Sequence, residues 1–353
     1  MRAEPSILQP SSVFLDLSGE EIRGRMYLTT DGAGAEFCLR PEYTIPVCRD
    51  YLASASAGEQ ASFSYLGPVF RYRPNASGES IQAGIESFGR TDREAADAEI
   101  LTLALESVAV AGGPSLNVRM GDAGLFGEFL EKLSLPPVWL RRVRRGHMRG
   151  QSVAQIFDTG QNGSSSDHSG VLAALEGVDK KGALALVEDL LSIAGISSVG
   201  GRSANEIAER FLEQSSLKSG AAVSSEKRRV IERFLAITGD PDDASAQLRT
   251  LAQDSDLDLS GALDSFDARL GFIAARGLDV SGMTFSAGFG RNIDYYTGFV
   301  FEAQDPARTD GRPVVGGGRY DRLMTTLGAK GEIPAVGAGI WCDRLFGDTG
   351  AAR

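Results

Sequence analysis

The first 90 residues alternate apolar and polar positions in short runs broken by turn residues. Residues 37–39, 62–71 and 80–88 read as strands, separated by Asp31-Gly32, Gly58 and the polar stretch 75–78. Strands joined by such short turns pair antiparallel. The period then becomes helical. Thr91-Asp92-Arg93-Glu94 has the form of a capping box, with Thr91 as N-cap and Glu94 reaching back. Ile100, Leu101, Leu105 and Val108 follow on one face before Gly112-Gly113 ends the helix. Residues 116–120 read as a strand, and Leu125, Phe126, Phe129, Leu130 and Leu133 again have helical spacing.

Beyond Pro136-Pro137 the chain turns to short amphipathic helices with Ser-, Gly- and Asp-rich connections. Among them are 203–212, with a second capping box at Ser203 and Glu206, and 227–237. A last helix carrying Leu263, Phe266, Leu270 and Ile273 ends at Gly277, and strand-like runs return at 284–289, 299–303, 314–315 and 336–341. The pattern predicts a mixed α/β (α+β) fold. Its antiparallel sheet, flanked by helices, is built from residues 1–135 and 261–353 and interrupted by a mainly helical insertion at 136–260.

With 353 residues, 42% of them hydrophobic, the chain can bury a sizeable core. Its net charge of -11 opposes broad electrostatic binding to a phosphate backbone or an anionic membrane. Cys38, Cys48 and Cys342 form no CxxC pair and have no neighbouring histidines, so neither a disulfide framework nor a metal site is expected. A reducing, cytoplasmic setting fits this usage. The start, MRAEPSILQP, lacks the apolar run of a signal peptide, and no stretch approaches the 18 uninterrupted apolar residues of a membrane span.

There is no GxxxxGK[ST] loop, HExxH or GxSxG. His147 and His168, the two histidines, lie in the polar insertion and read as surface residues. The glycines of VVGGGRYD and AVGAGIW do not match GxGxxG between strand and helix, and suit either close approach of a ligand or tight strand packing. Polar residues inside strand-like runs say more. Gln82 and Glu86 are four apart on one strand and so share a face, with Gly84 between them. Glu42 and Thr44 follow Arg40-Pro41; Arg291, Asp294, Tyr295 and Tyr296 lie between two strands; Tyr320 follows three glycines and an arginine. Two carboxylates and a glutamine suit an ammonium group and a second N–H donor, while an arginine and tyrosine hydroxyls suit a carboxylate and a ring. The complement points to a zwitterionic amino acid with a nitrogen-bearing side chain.

The segments CLRPEYTIPVCRDYLA, YLGPVFRYRP, IQAGIESFG, GRNIDYYTGFVFE, VGGGRYDRL and PAVGAGIWCDRLF resemble, in order, the motifs of the class II histidyl-tRNA synthetase catalytic domain. The resemblance implies a class II aminoacyl-tRNA synthetase-like sheet and a histidine site. In it Glu42, Thr44 and Gln82 hold the α-ammonium, Glu86 and Tyr296 the imidazole nitrogens, and Arg291 the carboxylate, with Tyr295 and Tyr320 completing the pocket. The synthetase pattern Phe-Arg-x-Glu-Arg-Pro is reduced here to FRYRP, without the glutamate that contacts adenine, and the following NASGES has no basic residue for the ATP phosphates. Arg71 and Arg344 stay as candidate residual nucleotide contacts. Nine residues follow Arg344, so no anticodon-binding domain is expected; the long helix that usually precedes the strand at AEPSILQP is not in this sequence, either because the natural start lies upstream or because this member has lost that element.

A histidine pocket without the full ATP and tRNA apparatus is similar to the regulatory subunits of ATP phosphoribosyltransferase. That resemblance implies a non-catalytic chain that partners the short catalytic subunit in histidine biosynthesis, is needed for its activity, and conveys feedback inhibition by L-histidine. It also implies no cofactor, no tRNA and no membrane partner. The alternative is a truncated histidyl-tRNA synthetase-like enzyme that adenylates an amino acid; a histidine-binding paralogue with another partner is the third reading. WLRRVRRGHMR, residues 139–149, is the one dense basic cluster and reads first as an exposed helix face.

Overall fold

Alternation along the first strands and glycine-rich apolar runs along the last ones build a sheet buried on both faces at its centre and open on one face along residues 61–70. In the computed structural model, residues 1–17, 22, 24–74, 77–148, 151–157, 182, 185, 189, 223–290 and 295–345 are described. Strands β1 (Leu8–Pro10), β2 (Leu28–Thr30) and β3 (Glu36–Leu39) form a small antiparallel sheet in the order β1-β3-β2. The remaining strands are β4 (Ala61–Phe70), β5 (Glu79–Phe88), β6 (Asn117–Asp122), β7 (Thr238–Gly239), β8 (Thr284–Ser286), β9 (Phe299–Gln304), β10 (Val315–Arg319) and β11 (Ala335–Trp341). They form one sheet in the order β4-β5-β11-β10-β9-β6-β8-β7, antiparallel throughout except for β6 with β8. The last three strands, β9 to β11, thus lie in the centre of the sheet, between β5 and β6 from the first part of the chain.

The helices are α1 (Ser11–Leu17), α2 (Thr44–Ala53), α3 (Arg93–Val110), α4 (Ala123–Lys132), α5 (Pro137–Met148), α6 (Val153–Phe157), α7 (Ser225–Ala236), α8 (Pro241–Asp254), α9 (Ser260–Ala275) and α10 (Asp321–Thr326). Helix α3 lies on β5, β10 and β11 and carries α9 on its flank. The other side is closed by an apolar cluster that includes Val47, Cys48 and Tyr51 of α2, Tyr65 and Val69 of β4, Phe88 of β5 and Leu323 and Met324 of α10. Tyr51 stacks on Phe88 with ring centroids 4.4 Å apart, fixing α2 over the β4–β5 ladder. Gly112, at φ +76°, ends α3 in a left-handed conformation that a side chain would strain.

The chain divides into two compact units, 1–132 with 148–150 and 233–353, and 133–147 with 151–232. Residues 233–260, grouped with the insertion on sequence pattern, belong to the first unit, where α8 packs on α9, β7 and β8. Their helical period is the same as that of the insertion, which hides the boundary. In the second unit, Trp139, Val143 and His147 recur every four residues on the buried side of α5, while Arg141 and Arg145 are exposed. His147 is therefore a core residue and not the surface residue expected; burial pushes its imidazole down to about 4. His168, the 203–212 helix and Arg149 lie outside the described residues. The expected Thr91 capping box does not form either. Helix α3 starts one residue later than that box requires, Asp92 is held by Arg90 (Nε to Oδ1 2.9 Å), and Glu94 accepts from Ser265 Oγ at 2.7 Å.

Candidate functional site

Side chains of alternate residues point to one face of a strand, so Gln82, Gly84 and Glu86 of β5 share a face. The register sets Gly67 and Trp341 on either side of Gln82, Tyr65 and Gly339 beside Gly84, and Gly337 beside Glu86. Each large polar side chain there lies over a neighbouring glycine. A Cβ at Gly337 would collide with the Glu86 carboxylate, one at Gly339 would stand 2.5 Å from Gln82 Nε2, and one at Gly84 would strike the Tyr65 hydroxyl. On β10, a Cβ at Gly318 would press on the Tyr296 ring at 2.9 Å. The glycines pave a floor on which long side chains of the protein itself lie flat, so of the two roles expected of them the structure shows tight packing. A small cleft opens above it, lined by Glu42, Thr44, Tyr65, Arg71, Gln82, Tyr295, Tyr296, Tyr320 and Trp341 among others.

Two carboxylates dominate this space. Glu42 precedes α2 and caps it, accepting from the backbone N–H of Thr44 (2.7 Å) and Ile45 (2.9 Å). Burial raises its proton affinity, while those two N–H groups and Arg71 pull it down. Glu86 accepts from Thr44 Oγ1 at 2.8 Å and from the Tyr320 hydroxyl. Burial pushes its carboxyl up from the ordinary 4.5 to about 8, against the opposing hydrogen bonds of Tyr320 and Thr44, and the Glu42 charge adds to the rise. The carbonyl oxygen of Gln82 is buried and has no protein partner. A buried acceptor left unpaired costs about 1–3 kcal/mol, which a hydrogen-bond donor reaching this position would relieve.

Six of the expected site residues therefore line one cavity, Glu42, Thr44, Gln82, Tyr295, Tyr296 and Tyr320, and Glu86 lies buried just behind it, hydrogen-bonded to Thr44 and Tyr320. Arg291 and its neighbour Asp294 lie outside the described residues. Arg71 also lines the cavity and donates from Nε to Pro41 O at 2.7 Å. Arg344 stands beyond it, over the Trp341 ring at 4.5 Å and bonded to the Pro313 carbonyl. Burial, together with the charges of Arg73, Arg312 and Arg71, lowers Arg344 to about 9. Arg73 is depressed by burial and by Arg312 and Arg25. Sequence reasoning missed Tyr65 and Trp341 in the lining and Arg73 and Arg312 beside Arg344. Tyr65 carried a signal, an aromatic facing a strand glycine; Arg312 sits in a loop without periodicity, and the fold alone brings it near.

The family model described as histidyl-tRNA synthetase matches residues 2–199 and 180–345. An ATP phosphoribosyltransferase regulatory subunit of Mesorhizobium japonicum is 42% identical over 347 residues, covering 97% of this chain and 91% of that protein. The chain belongs to the ATP phosphoribosyltransferase regulatory subunit family. The regulatory subunit of Brucella canis is 39% identical over the same shares. Among solved structures, an ATP phosphoribosyltransferase regulatory subunit/histidyl-tRNA synthetase of Bacillus halodurans superposes with a TM-score of 0.65 at 20% identity, over 98% of this chain and 73% of that one. A histidine–tRNA ligase subunit of Alicyclobacillus acidocaldarius gives 0.55 at 24% identity, over 98% and 86%. At those identities the structures speak for the fold, a class II synthetase-like sheet, which this regulatory-subunit chain shares.

Proposed function

We propose that this chain is the non-catalytic regulatory subunit of ATP phosphoribosyltransferase, required by a short catalytic subunit and holding L-histidine as the feedback effector in the β5 pocket. The observation that carries the reading is the buried pair on β5: an unpartnered Gln82 carbonyl and a Glu86 carboxyl braced by two hydroxyls, both on a glycine floor. Glu86 and Tyr296 suit the two imidazole nitrogens; Glu42, Thr44 and Gln82 suit the α-ammonium; Arg291 is assigned to the carboxylate and Tyr295 closes the side. Occupancy changes activity elsewhere only through a state of the complex for which histidine has differential affinity. The regulator need not touch the substrates.

Arg71 and Arg344 are proposed as remnants of a nucleotide site, and tRNA is not a ligand on this reading. Among the described residues no helix is long and apolar enough to cross a membrane, and the cytoplasm is the proposed location. Titration calorimetry with L-histidine tests the pocket, and ATP–pyrophosphate exchange tests the enzyme alternative. Saturable histidine binding without exchange is expected; exchange at ordinary synthetase rates would replace this function with amino-acid adenylation.

A further inference from the structure

Five buried charges form one chain behind the pocket. Asp97 of α3 accepts from Arg319 Nε through Oδ1 (2.9 Å) and from Arg269 Nε through Oδ2 (3.0 Å). Arg269 continues to Asp122 Oδ2 at 2.8 Å, and Arg319 continues through Nη1 to Asp321 Oδ1 at 2.9 Å. Asp97 has no exposed surface, and Arg269, Arg319, Asp122 and Asp321 are each less than a tenth exposed. Burying so many ions is seldom a route to stability, since desolvation offsets most of the attraction. What such a chain does supply is geometry. Arg319 spends its remaining reach on Arg93 O (3.0 Å), so every nitrogen of its guanidinium is committed.

The register shows what that geometry serves. Arg319 is the last residue of β10 and points toward α3, so the next residue, Tyr320, points to the opposite face, into the pocket. Tyr320 N donates to Ala335 O at 2.8 Å, and Ala335 N donates to Asp321 Oδ1 at 2.7 Å. Both residues flanking Tyr320 are thus clamped by the ion chain, one of them directly by Asp97. Two positions along β11 from Ala335, Gly337 faces Glu86, the carboxylate that the Tyr320 hydroxyl meets. We infer that Asp97 is a positioning residue for the pocket on the far side of the sheet: by clamping Arg319 it fixes the backbone around Tyr320 and so sets the Tyr320 hydroxyl on Glu86.

Ionisation of Glu86 reads this directly and does not depend on the identity of the ligand; the histidine arm rests on the function proposed above. The carboxyl band of Glu86, assigned by its loss in Glu86→Gln, is followed by infrared spectroscopy against pH. The groups facing it are Glu42, Tyr65, Tyr295, Tyr320, Thr44 and Cys48. Tyr320→Phe removes a hydrogen bond that favours the ionised form, so the midpoint rises above its starting value. Asp97→Asn is expected to raise it too, and to add nothing in the Tyr320→Phe background. Simple loss of the Asp97 charge would lower the midpoint, because a neighbouring negative charge opposes ionisation. The two effects differ in sign. Histidine affinity should fall roughly five- to tenfold in Asp97→Asn, the scale of one ordinary hydrogen bond, again with no further loss in the double variant. Asp321→Asn, at an acid that takes a side-chain hydrogen bond from one arginine where Asp97 takes them from two, is the milder variant should Asp97→Asn fold poorly, and its midpoint should rise by less. A midpoint that falls or stays fixed in both variants, or an Asp97→Asn effect as large without the Tyr320 hydroxyl as with it, would overturn the assignment. Failure of the unaltered protein to bind histidine would overturn the proposed ligand and leave the Glu86 test standing.

Discussion

The two ends of the pocket are built from opposite charges. Over β5 lie Glu42 and Glu86, buried, hydrogen-bonded and holding their protons more tightly than free carboxyls. Toward β11's end and the loop before β10 stand Arg71, Arg73, Arg312 and Arg344, where like charge and burial depress Arg344 and Arg73. The carboxylate end is complete in itself: each acid has hydroxyl or backbone donors, and Gln82 has one open acceptor. The arginine end holds mutually repelling cations whose natural counterpart is anionic. On the proposed function, the carboxylate end is the amino-acid half of an activating site kept sharp, and the arginine end is the nucleotide half without its glutamate and its loop. The sharp half is where effector affinity should reside.

The comparison breaks most visibly at the glycine floor. Gly337→Ala places a methyl where the Glu86 carboxylate lies, against Ile85 O as well, and should weaken histidine binding about 100-fold or more, an overpacking cost near 3 kcal/mol. Calorimetry at constant pH checks this. Glu86→Ala should cost about 1–3 kcal/mol of histidine affinity by leaving a buried imidazole N–H unpaired; unchanged affinity would mean that another group holds the ring.

Glu86→Gln isolates the electrostatic part. Because Glu86 binds its proton more tightly folded (about 8) than unfolded, its contribution to stability is complete below about pH 4.5 and fades as pH rises to about 8. Urea unfolding of the ligand-free protein should therefore show a decline over that window that Glu86→Gln flattens. The smallest effect belongs to the other end. Arg312→Ala should leave histidine affinity within about twofold and stability within about 0.5 kcal/mol, as for surface substitutions outside the core. A large loss of histidine affinity there would erase the division between the two halves.

Much of this architecture is written in local pattern. Strand alternation gave β4 and β5 nearly to the residue, and the four-residue spacing of Gln82 and Glu86 put them on one face because a strand has a period of two. Where a reading failed, a distant partner had taken the group. Ser265 claims Glu94 from across 171 residues, which dissolves the capping box, and the apolar stripe of α5 draws His147 inward despite the arginines around it. The buried ion chain was invisible for the same reason. Its one local trace is charge on an apolar helix face, Asp97 between Ala96 and Ala98 and Arg269 beside Leu270, with partners up to 222 residues away. Pairing at such separation is decided by the sheet order and not by any window of sequence.

The central claim, that L-histidine acts through the β5 pocket, is tested most directly by histidine inhibition of ATP phosphoribosyltransferase activity, with this chain assembled with the short catalytic subunit. The unaltered complex and the Glu86→Gln complex are compared at saturating substrates. The account expects activity to be supported by both, with the inhibition midpoint shifted at least about tenfold higher in Glu86→Gln, as loss of one charge-assisted hydrogen bond requires. Equal midpoints in two equally active complexes would place the histidine sensor somewhere else.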